Sequence, residues 1–430
     1  MNSNYLCLLA GAIAWAFVCQ ISAAAETEKT VYSFHGGSDG SWPEASLIDV
    51  DGTLYGTTAR GGGGYCGCGT VFSIDPQTRT ETIIYTFCSQ QDCLDGSGPV
   101  ASLIEVDGTL YGATYSGGNA GCYEDLGCGT VFSLNPQTGA ETVLYSFCSQ
   151  QNCADGAQPV GSLIDVNGIL YGTTYFGGKA GCVEDLGCGT AFALDPQTGV
   201  ETVLHTFCSK NNCADGAEPA AGFIRVKDKL YSTTEAGGTR TCRGEDAACG
   251  TVFSLDLQTG AEKVIHSFSG TDGGGPMAGL LDVDGTLYGT TGGGGDLGAG
   301  TVFSLNLASG SENVLYSFSF RDGAYPQSNL IDINGILYGT TTAGGGGYSN
   351  ECRGCGIVFS LNPTTGAESV LYSFCTKVVG PHCRDGWEPI GGVVDVKGAL
   401  YGTTVHGGAP GADRNCRGYG CGIVFVIRNP

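Results

Sequence analysis

Short runs of β-branched and aromatic residues alternate with turn residues along the whole chain. In one unit these runs are Ala101–Val106, Thr109–Thr114, Thr130–Leu134 and Glu141–Phe147. Asp107-Gly108 joins the first two runs, which is a strong hairpin signal, and an Asn-Pro-Gln-Thr-Gly turn joins the last two. No stretch has a sustained helical period. The pattern therefore predicts four antiparallel strands in this unit.

The unit recurs, with edits, from one end of the chain to the other. Four markers each occur seven times: Leu-Tyr-Gly-Thr-Thr, Gly-Thr-Val-Phe, Tyr-Ser-Phe and Asp-Gly-x-x-Pro, or close variants. The tyrosines of the first marker, 50 to 63 residues apart, are Tyr55, Tyr111, Tyr171, Tyr231, Tyr288, Tyr338 and Tyr401. Four strands at this period favour propeller blades over a solenoid.

The two ends of the chain indicate how the blades close. Thr30–Phe34 is a fourth strand with no first three before it, and Gly422–Ile427 is a third strand with no fourth after it. Pairing the two removes an exposed sheet edge. We therefore predict an all-β, seven-bladed β-propeller with four antiparallel strands per blade, closed by the N-terminal strand completing the last blade.

The predicted propeller is a single domain over residues 26–430. Its blades cover approximately residues 36–87, 88–147, 148–207, 208–268, 269–318, 319–374 and 375–430, the last completed by residues 26–35. The fourth blade carries Lys227-Asp-Lys229 at its hairpin and Ser232 in place of the usual glycine. We expect it to be the least regular blade.

The unit resembles the kelch motif, and it is more similar to the GloVer tandem-repeat family of exported bacterial proteins. The repeat of that family centres on LYGTTxxGG followed by GTVF, which here is Leu110–Thr114 with Gly117-Gly118 and Gly129–Phe132. The resemblance covers essentially all of the mature chain. It implies an exported, propeller-like protein and no settled biochemical activity. Members often carry a surface-anchor segment, which is not expected here because the chain stops at Pro430, directly after its last strand.

Residues 1–25 have the pattern of a secretory signal peptide. Tyr5–Val18 is apolar, and three alanines before Glu26 fit a cleavage site; an uncleaved anchor is the alternative. Cleavage leaves an even number of cysteines, which is typical of disulfide bonding in an oxidising compartment. We expect a secreted or periplasmic protein without membrane insertion after cleavage.

The remaining cysteines form close pairs that appear and vanish together across the repeats, which favours a bond within each pair. The predicted disulfides are Cys66–Cys68, Cys88–Cys93, Cys122–Cys128, Cys148–Cys153, Cys182–Cys188, Cys208–Cys213, Cys242–Cys249, Cys352–Cys355, Cys375–Cys383 and Cys416–Cys421. The alternative of zinc rests on Cys352-Arg-Gly-Cys355, and no second pair or histidine is in suitable register.

All of these cysteines belong to one face of the predicted propeller, which we call the loop face. It consists of the loops between strands two and three and the blade-to-blade connections, and it holds nearly all the length variation. Three of its connections carry an aromatic residue beside the proline of Asp-Gly-x-x-Pro: Trp42, Tyr325 and Trp387. They are the candidate ligand-binding residues, because aromatic rings can stack on sugars or hold a peptide. Rim packing over the closure is the alternative.

One hypothesis is that the aspartates of the Asp-Gly-x-x-Pro marker form a ring of carboxylates around the channel and bind calcium. They are Asp39, Asp95, Asp155, Asp215, Asp272, Asp322 and Asp385. We favour a structural role in turns, because all seven blades share them and no DxDxDG pattern is present.

No catalytic residue, metal ligand or cofactor is predicted. His205 and His266 replace the tyrosine of Tyr-Ser-Phe, and His382 and His406 lie on the loop face of blade seven. A net charge of −23 disfavours nucleic acid and anionic membranes as partners. We expect a monomeric, non-catalytic module that binds a glycan or a protein through its loop face. A polysaccharide-acting enzyme with loop-face carboxylates and a purely structural surface protein are the alternatives.

Overall fold

A computed structural model describes residues 28–63, 67–119, 127–178, 187–240, 249–347, 352, 354–379, 382–409, 416 and 419–428. Within these residues, seven four-stranded antiparallel sheets form a ring of blades. Short 3-10 turns in the described connections are Gly37–Asp39, Gln91–Cys93, Gln151–Cys153 and Asn211–Cys213. None of the described residues forms a helix that is long and apolar enough to cross a membrane.

The strands follow one another around the ring in chain order. After β1 (Lys29–Ser33), blades 1 to 3 contain β2 (Ile48–Val50), β3 (Thr53–Thr58), β4 (Thr70–Ile74), β5 (Glu81–Thr86), β6 (Ile104–Val106), β7 (Thr109–Thr114), β8 (Thr130–Leu134), β9 (Glu141–Ser146), β10 (Ile164–Val166), β11 (Ile169–Thr174), β12 (Thr190–Asp195) and β13 (Val200–Thr206). Blades 4 and 5 contain β14 (Ile224–Val226), β15 (Lys229–Thr234), β16 (Thr251–Asp256), β17 (Glu262–Ser267), β18 (Leu281–Val283), β19 (Thr286–Thr291), β20 (Thr301–Asn306) and β21 (Glu312–Ser317).

Blades 6 and 7 complete the ring. They contain β22 (Ile331–Ile333), β23 (Ile336–Thr341), β24 (Ile357–Asn362), β25 (Ala367–Ser373), a ribbon of β26 (Val378–Val379) and β27 (His382–Cys383), then β28 (Val394–Asp395), β29 (Ala399–Thr404) and β30 (Ile423–Arg428). The order in the last sheet is β28-β29-β30-β1, and β1 pairs antiparallel with β30. The predicted fold and its closure by the N-terminal strand are therefore confirmed.

The core lies between neighbouring blades, where two of the repeated phenylalanines meet. The Tyr-Ser-Phe ring of one blade packs edge-to-face on the Gly-Thr-Val-Phe ring of the next, as Phe147 does on Phe192 at 5.1 Å. The junction that closes the ring repeats the contact, with 5.1 Å between Phe34 and Phe72. The glycine of Leu-Tyr-Gly-Thr-Thr leaves room for this ring, since a Cβ on Gly172 would lie 2.5 Å from Phe192.

The two threonines of Leu-Tyr-Gly-Thr-Thr make different hydrogen bonds. The first crosses to the next blade, as when Thr173 Oγ1 donates to the Ala221 carbonyl at 3.0 Å and Thr403 Oγ1 donates to the Ala45 carbonyl at 3.1 Å. The second stays local, and Thr174 Oγ1 donates to the Phe176 carbonyl at 2.8 Å. One marker thus supplies both a blade-to-blade contact and a turn contact.

The fourth blade is as regular as the others, so the expectation of irregularity is wrong. Its first two strands, β14 and β15, pair in the same register as those of blade 3. Ser232 fits because its hydroxyl donates to the carbonyls of Ala221 and Gly222 at 3.1 and 3.0 Å. The shortest first strand is instead β28 in blade 7.

Six of the predicted cysteine pairs are disulfides in the structure. They are Cys88–Cys93, Cys148–Cys153, Cys208–Cys213, Cys352–Cys355, Cys375–Cys383 and Cys416–Cys421. The remaining four pairs each include a cysteine outside the described residues, namely Cys66, Cys122, Cys182 and Cys242, and the predicted signal peptide also lies outside them.

The connection cysteines also lie beside the loop cysteines of the preceding blade. The sulfurs of Cys352, Cys355, Cys375 and Cys383 all lie within 4.8 Å of one another. A second cysteine pair therefore lies close enough to Cys352 and Cys355 to share a metal ion with them. The expectation that no such pair exists is wrong. All four are disulfide-bonded here, and the thiolate is the form of cysteine that binds metals.

The repeated aspartates brace the blade-to-blade connections and do not ring the channel. Asp155 is fully buried, and its carboxylate accepts hydrogen bonds from Tyr145 Oη at 2.8 Å, Ser149 N at 2.8 Å, Ser149 Oγ at 2.9 Å and Gln150 N at 3.2 Å. The other six aspartates accept hydrogen bonds from matching groups or, at His205 and His266, contact an imidazole. Each aspartate therefore ties the outermost strand of a blade to the connection that follows it.

Replacing this carboxylate should destabilise the protein. Asp155→Ala removes a buried carboxylate that accepts hydrogen bonds from Tyr145, Ser149 and Gln150. Hydrogen bonds to a charged group are among the stronger ones, and we expect the free energy of unfolding to fall by about 3 kcal/mol. Urea unfolding followed by circular dichroism measures the change. Asp296→Ala is the matched control, because Asp296 is exposed, and its effect should stay within about 0.5 kcal/mol. Equal effects of the two variants would contradict the bracing role.

Candidate binding site at the mouth of the central channel

The seven blade-to-blade connections converge around a cavity at the loop-face end of the central channel. Its volume is ≈ 400 Å³, within the range of small-ligand sites. The residue after the proline of Asp-Gly-x-x-Pro lines it in every blade: Glu44, Val100, Val160, Ala220, Met277, Gln327 and Ile390. A repeated backbone position thus presents largely different side chains to one shared space.

The residue before the same proline is held in a left-handed backbone conformation in every blade. Its N–H donates to a carbonyl in the preceding blade, as Trp42 N does to Cys421 O at 3.0 Å. Two blades use glycine there, and the other five place bulkier residues at φ between 56° and 63°: Trp42, Gln158, Glu218, Tyr325 and Glu388. Left-handed conformations are uncommon for such residues and need support from their surroundings.

The residue after Leu-Tyr-Gly-Thr-Thr supplies further polar groups to the cavity in three blades. Tyr115, Tyr175 and Glu235 reach the cavity from this position. Tyr175 Oη lies 2.7 Å from Glu235 Oε2 and 3.3 Å from Glu218 Oε2. Burial, followed by the repulsion of Glu235, raises the pKa of Glu218. The side of the mouth formed by blades 3 and 4 therefore presents a tyrosine hydroxyl held by two carboxyl groups.

In blade 1, Glu44 lines the mouth and Arg60 lies beside it. Burial raises the pKa of Glu44 to about 7, with a further increase from Glu388 and an opposing effect from Arg60. The Arg60 guanidinium lies over the Trp42 ring, 5.6 Å from its centroid. This part of the mouth combines an aromatic ring, a cation and a carboxyl group that gains a proton near neutral pH.

A second cavity of ≈ 670 Å³ continues outward from the mouth along blades 1 and 2. It is lined by Trp42, Arg60 and Tyr115, and it shares Glu44 and Val100 with the mouth. Together the two cavities form a groove that runs from the channel axis to Trp42.

The structure brings together two of the three predicted aromatic residues. His406 lies between Trp42 and Trp387, with ring centroids 5.7 and 4.4 Å away. Tyr325 packs against Phe320 at 5.6 Å, and no ring contact between described residues joins it to the tryptophans. Trp387 stands one residue earlier in its motif than Trp42, so Glu388 takes the left-handed position in that blade.

The loop-face histidines differ in their surroundings. Burial lowers the pKa of His406 to about 4, and His406 Nε2 lies 3.4 Å from Glu388 Oε2. His382 belongs to β27, and no described contact joins it to His406. His406 therefore serves as a mostly neutral, aromatic part of the tryptophan cluster.

Sequence reasoning missed Glu44, Arg60, Tyr115, Tyr175 and Glu235. Most of them stand directly beside an invariant marker, either after its proline or after its second threonine. Those neighbouring positions vary from blade to blade while the markers stay constant, and this variation is the signal that could have identified them. The sequence does not show that these five residues lie close together, because they come from four different blades.

The fold and this site define a class: a disulfide-rich, seven-bladed β-propeller with a cavity at its channel mouth. The family model named Gloeobacter/Verrucomicrobia repeat matches residues 9–184 and 183–414. The chain therefore belongs to the Gloeobacter/Verrucomicrobia repeat family. A comparison with curated proteins finds no match.

Solved structures share the fold at low sequence identity. An oligogalacturonate lyase in complex with manganese is 10% identical, with 95% of this chain and 94% of that chain covered and a TM-score of 0.53. An oligogalacturonate lyase from Vibrio parahaemolyticus is 9% identical, with 95% and 98% covered and a TM-score of 0.48. A putative 6-phosphogluconolactonase from Bacteroides uniformis is 13% identical, with 76% and 83% covered and a TM-score of 0.44. These likenesses concern the fold alone.

Proposed function

We propose that this protein is an exported, non-catalytic module that binds a neutral glycan at the mouth of its channel. The observation that carries the proposal is the groove in which the Trp42 ring adjoins Glu44 and Tyr115. A sugar ring has an apolar face that packs on an aromatic ring and hydroxyls that bond to carboxyl and phenol oxygens. The groove offers both kinds of contact side by side.

The charges around the mouth favour a neutral sugar over an acidic one. Glu44 and Glu235 line the mouth, Glu218 contacts Tyr175 beside it, and Glu388 acts on Glu44. Arg60 is the one cation among the described residues that line the two cavities. The whole chain has a net charge of −23. A polymer of uronic acids would be repelled by this field, whereas a neutral sugar carries no charge for it to repel.

The size of the cavity favours a glycan over a protein partner. A concave space of ≈ 400 Å³ matches small-ligand sites. A stable protein–protein interface needs a surface of about 1,200–2,000 Å² in total, more than such a cavity provides. A few sugar units are the better match to the shape.

Export is part of the proposal and is supported by the cysteines. Six disulfides join described residues, and such bonds persist in oxidising compartments. We assign residues 1–25 to a cleaved signal peptide and the mature protein to the periplasm or the exterior. Mass spectrometry of the mature N-terminus tests this assignment, with Glu26 as the expected first residue.

A glycan-cleaving enzyme is the second candidate, favoured by Glu44. Burial raises the pKa of Glu44 to about 7, and the charge of a second carboxyl group, Glu388, raises it further. A carboxyl group with a raised pKa near a second carboxyl group is typical of a general acid in catalysis. Binding remains the better proposal because Glu388 Oε2 faces His406 Nε2 at 3.4 Å and Glu44 lies near the Arg60 guanidinium. Neither arrangement leaves a carboxylate free to act as nucleophile or base.

Loss of the Trp42 ring should weaken glycan binding. On an array of neutral, amino and uronic oligosaccharides we expect binding to a neutral sugar, and calorimetry of Trp42→Ala with that sugar should show at least a tenfold weaker affinity, about 1.4 kcal/mol. Tyr325→Ala is the matched control, because Tyr325 holds the same left-handed position away from the groove.

Three outcomes would contradict the proposal. They are binding confined to uronic oligosaccharides, equal losses in the two variants, and no binding to any sugar on the array. Turnover of the bound sugar that disappears in Glu44→Gln would instead establish the enzyme. Thermal unfolding of each variant shows whether a loss of binding reflects a loss of folding.

A further inference from the structure

Every blade junction carries the same three side chains on its outer side. They are the aromatic residue of the outermost strand, the aspartate of the connection, and a glutamate near the start of the next outermost strand. Tyr85, Asp95 and Glu141 form one such set, with Tyr85 Oη 2.9 Å from Asp95 Oδ2 and 3.3 Å from Glu141 Oε2. The glutamates are Glu28, Glu81, Glu141, Glu201, Glu262, Glu312 and Glu368.

The glutamate lacks a hydrogen-bond donor for one of its oxygens at most junctions. Oε1 is buried without a partner in Glu81, Glu141, Glu201, Glu262, Glu312 and Glu368. The Glu262 side chain, for example, is only 2% exposed. Buried carboxyl oxygens are normally paired, because leaving one unpaired is costly. The junctions are therefore built to receive a positive group or a proton.

Two junctions supply a positive group from the chain itself, at the other oxygen of the glutamate. Lys210 Nζ lies 2.8 Å from Glu262 Oε2, and Lys377 Nζ lies 2.5 Å from Glu28 Oε2. The equivalent residue at two other junctions is Gln90 or Gln150, which carries no charge. A cation is thus the natural occupant of this position beside the glutamate.

The junction between blades 4 and 5 has metal ligands and no lysine. His266 Nε2 lies 3.2 Å from Asp272 Oδ2, and one ligand atom from each of His266, Asp272 and Glu312 lies within 4.8 Å of the others. The connection is short here, so no residue matches Lys210. Five junctions have tyrosine in place of histidine, and a neutral phenol is a poor ligand.

We propose that His266, Asp272 and Glu312 bind one divalent transition-metal ion such as Zn²⁺. Bonds to imidazole nitrogen and carboxylate oxygen are about 2.0–2.2 Å long, so one ion can bind the three atoms once their side chains move together by a few tenths of an ångström. The ion occupies the place that the lysine ammonium takes beside Glu262. Because His266 belongs to β17 and Glu312 to β21, the metal ion joins the outer strands of two neighbouring blades.

The junction between blades 3 and 4 is an internal control for this site. His205, Asp215 and Glu262 repeat the same three residue types, and His205 Nε2 lies 3.2 Å from Asp215 Oδ2. There, Lys210 already contacts Glu262, and its positive charge repels a second cation. One metal ion per chain is therefore expected, not two.

Zinc titration of the mature chain tests the site. After treatment with a chelator and dialysis, calorimetry with ZnCl₂ should give a stoichiometry of one, and thermal unfolding should shift upward with zinc. His266→Tyr and Glu312→Gln should each weaken zinc binding by more than about 100-fold. His266→Tyr should fold, because tyrosine is the residue at five other junctions. His205→Tyr should leave zinc binding unchanged.

A second variant tests the role of the lysine. Lys210→Ala frees Glu262, and the stoichiometry should rise from one toward two. The proposal is overturned if the wild-type chain takes up no stoichiometric zinc, or if zinc binding survives in His266→Tyr and Glu312→Gln. A stoichiometry that stays at one in Lys210→Ala would overturn the assignment of the ammonium as the occupant of the metal position.

Discussion

A chain that begins at His35, and therefore lacks β1, is expected to melt more than about 10 °C below a chain that begins at Glu26. Without β1, the last sheet keeps β28, β29 and β30 but exposes the edge of β30. An unpaired edge of this kind also promotes aggregation. Differential scanning calorimetry and size-exclusion chromatography of the two chains measure the effect.

The expected loss is large because β1 contributes buried side chains as well as strand pairing. Phe34 is fully buried and packs on Phe72, and Val31 is 7% exposed. Removing one buried phenylalanine side chain alone typically costs about 3–5 kcal/mol. Lys377 also loses its partner Glu28, and Ala409 N loses the Ser33 hydroxyl at 2.7 Å.

Complementation provides the control for this truncation. A synthetic peptide of residues 26–35, added in excess, should restore part of the melting temperature because it can take the place of β1 beside β30. A scrambled peptide of the same composition should have no effect. Equal melting temperatures of the two chains would contradict closure through β1.

The second large effect is an increase in stability on mild acidification, with a melting temperature about 5 °C higher at pH 5.0 than at pH 7.5. Burial raises the pKa of five junction glutamates to about 7: Glu81, Glu141, Glu201, Glu312 and Glu368. A carboxyl group whose pKa is higher in the folded state stabilises the fold below its unfolded pKa. That stabilisation is lost as the pH rises through the folded pKa.

Two histidines oppose this trend without reversing it. Burial lowers the pKa of His205 and lowers that of His406 to about 4. Each therefore reduces stability as the pH falls below the unfolded value near 6.5. Asp272, with a pKa of about 2, stays ionised throughout the window. Because the glutamates are partly exposed, solvent screening reduces the contribution of each to the free energy of unfolding to about 1 kcal/mol. The five glutamates outnumber the two histidines, so the net effect of acidification is stabilising.

The matched variants for the pH effect come from the chain's own repeats. Gln90→Lys and Gln150→Lys place an ammonium where Lys210 stands, beside Glu141 and Glu201 respectively. Both variants should lower the pKa of the neighbouring glutamate and reduce the difference in melting temperature between pH 5.0 and pH 7.5. Lys210→Gln should increase that difference. Thermal unfolding in chelator-containing buffers from pH 5.0 to 7.5 measures these effects, and a melting temperature that rises from pH 5.0 to 7.5 would contradict the assignment.

Most of the fold can be predicted from the repeat alone. The Asp107-Gly108 hairpin, the two phenylalanines of each blade and the incomplete units at both ends predicted the number of strands and the closure correctly. Blade 4 shows the limit of this reasoning. Its unusual Ser232 suggested irregularity, but the hydroxyl finds two backbone carbonyls in a neighbouring segment, which the local pattern does not show.

The candidate site was much less predictable. Trp42 stands out in the sequence because it differs from its counterparts in other blades, and the same reasoning selected Tyr325, which lies apart from it. A shift of one residue separates Trp387 from the equivalent position, and only the backbone conformation reveals that shift. Glu44 stands out only when the residues after the same proline are compared across the blades, because a single glutamate in an acidic chain carries no signal of its own.

The blade, its seven copies and the way in which the ring closes can all be read from the order of residues along the chain. The blade depends on strand periodicity, turns and pairing between neighbouring segments, and every repeat contains these signals. The closure pairs the two ends of the chain, and the incomplete units at those ends indicate it. The tertiary structure alone decided which side chains meet. Glu44 with Tyr115, and His266 with Glu312, come from different blades, and their proximity follows from how neighbouring blades pack, which no single repeat encodes.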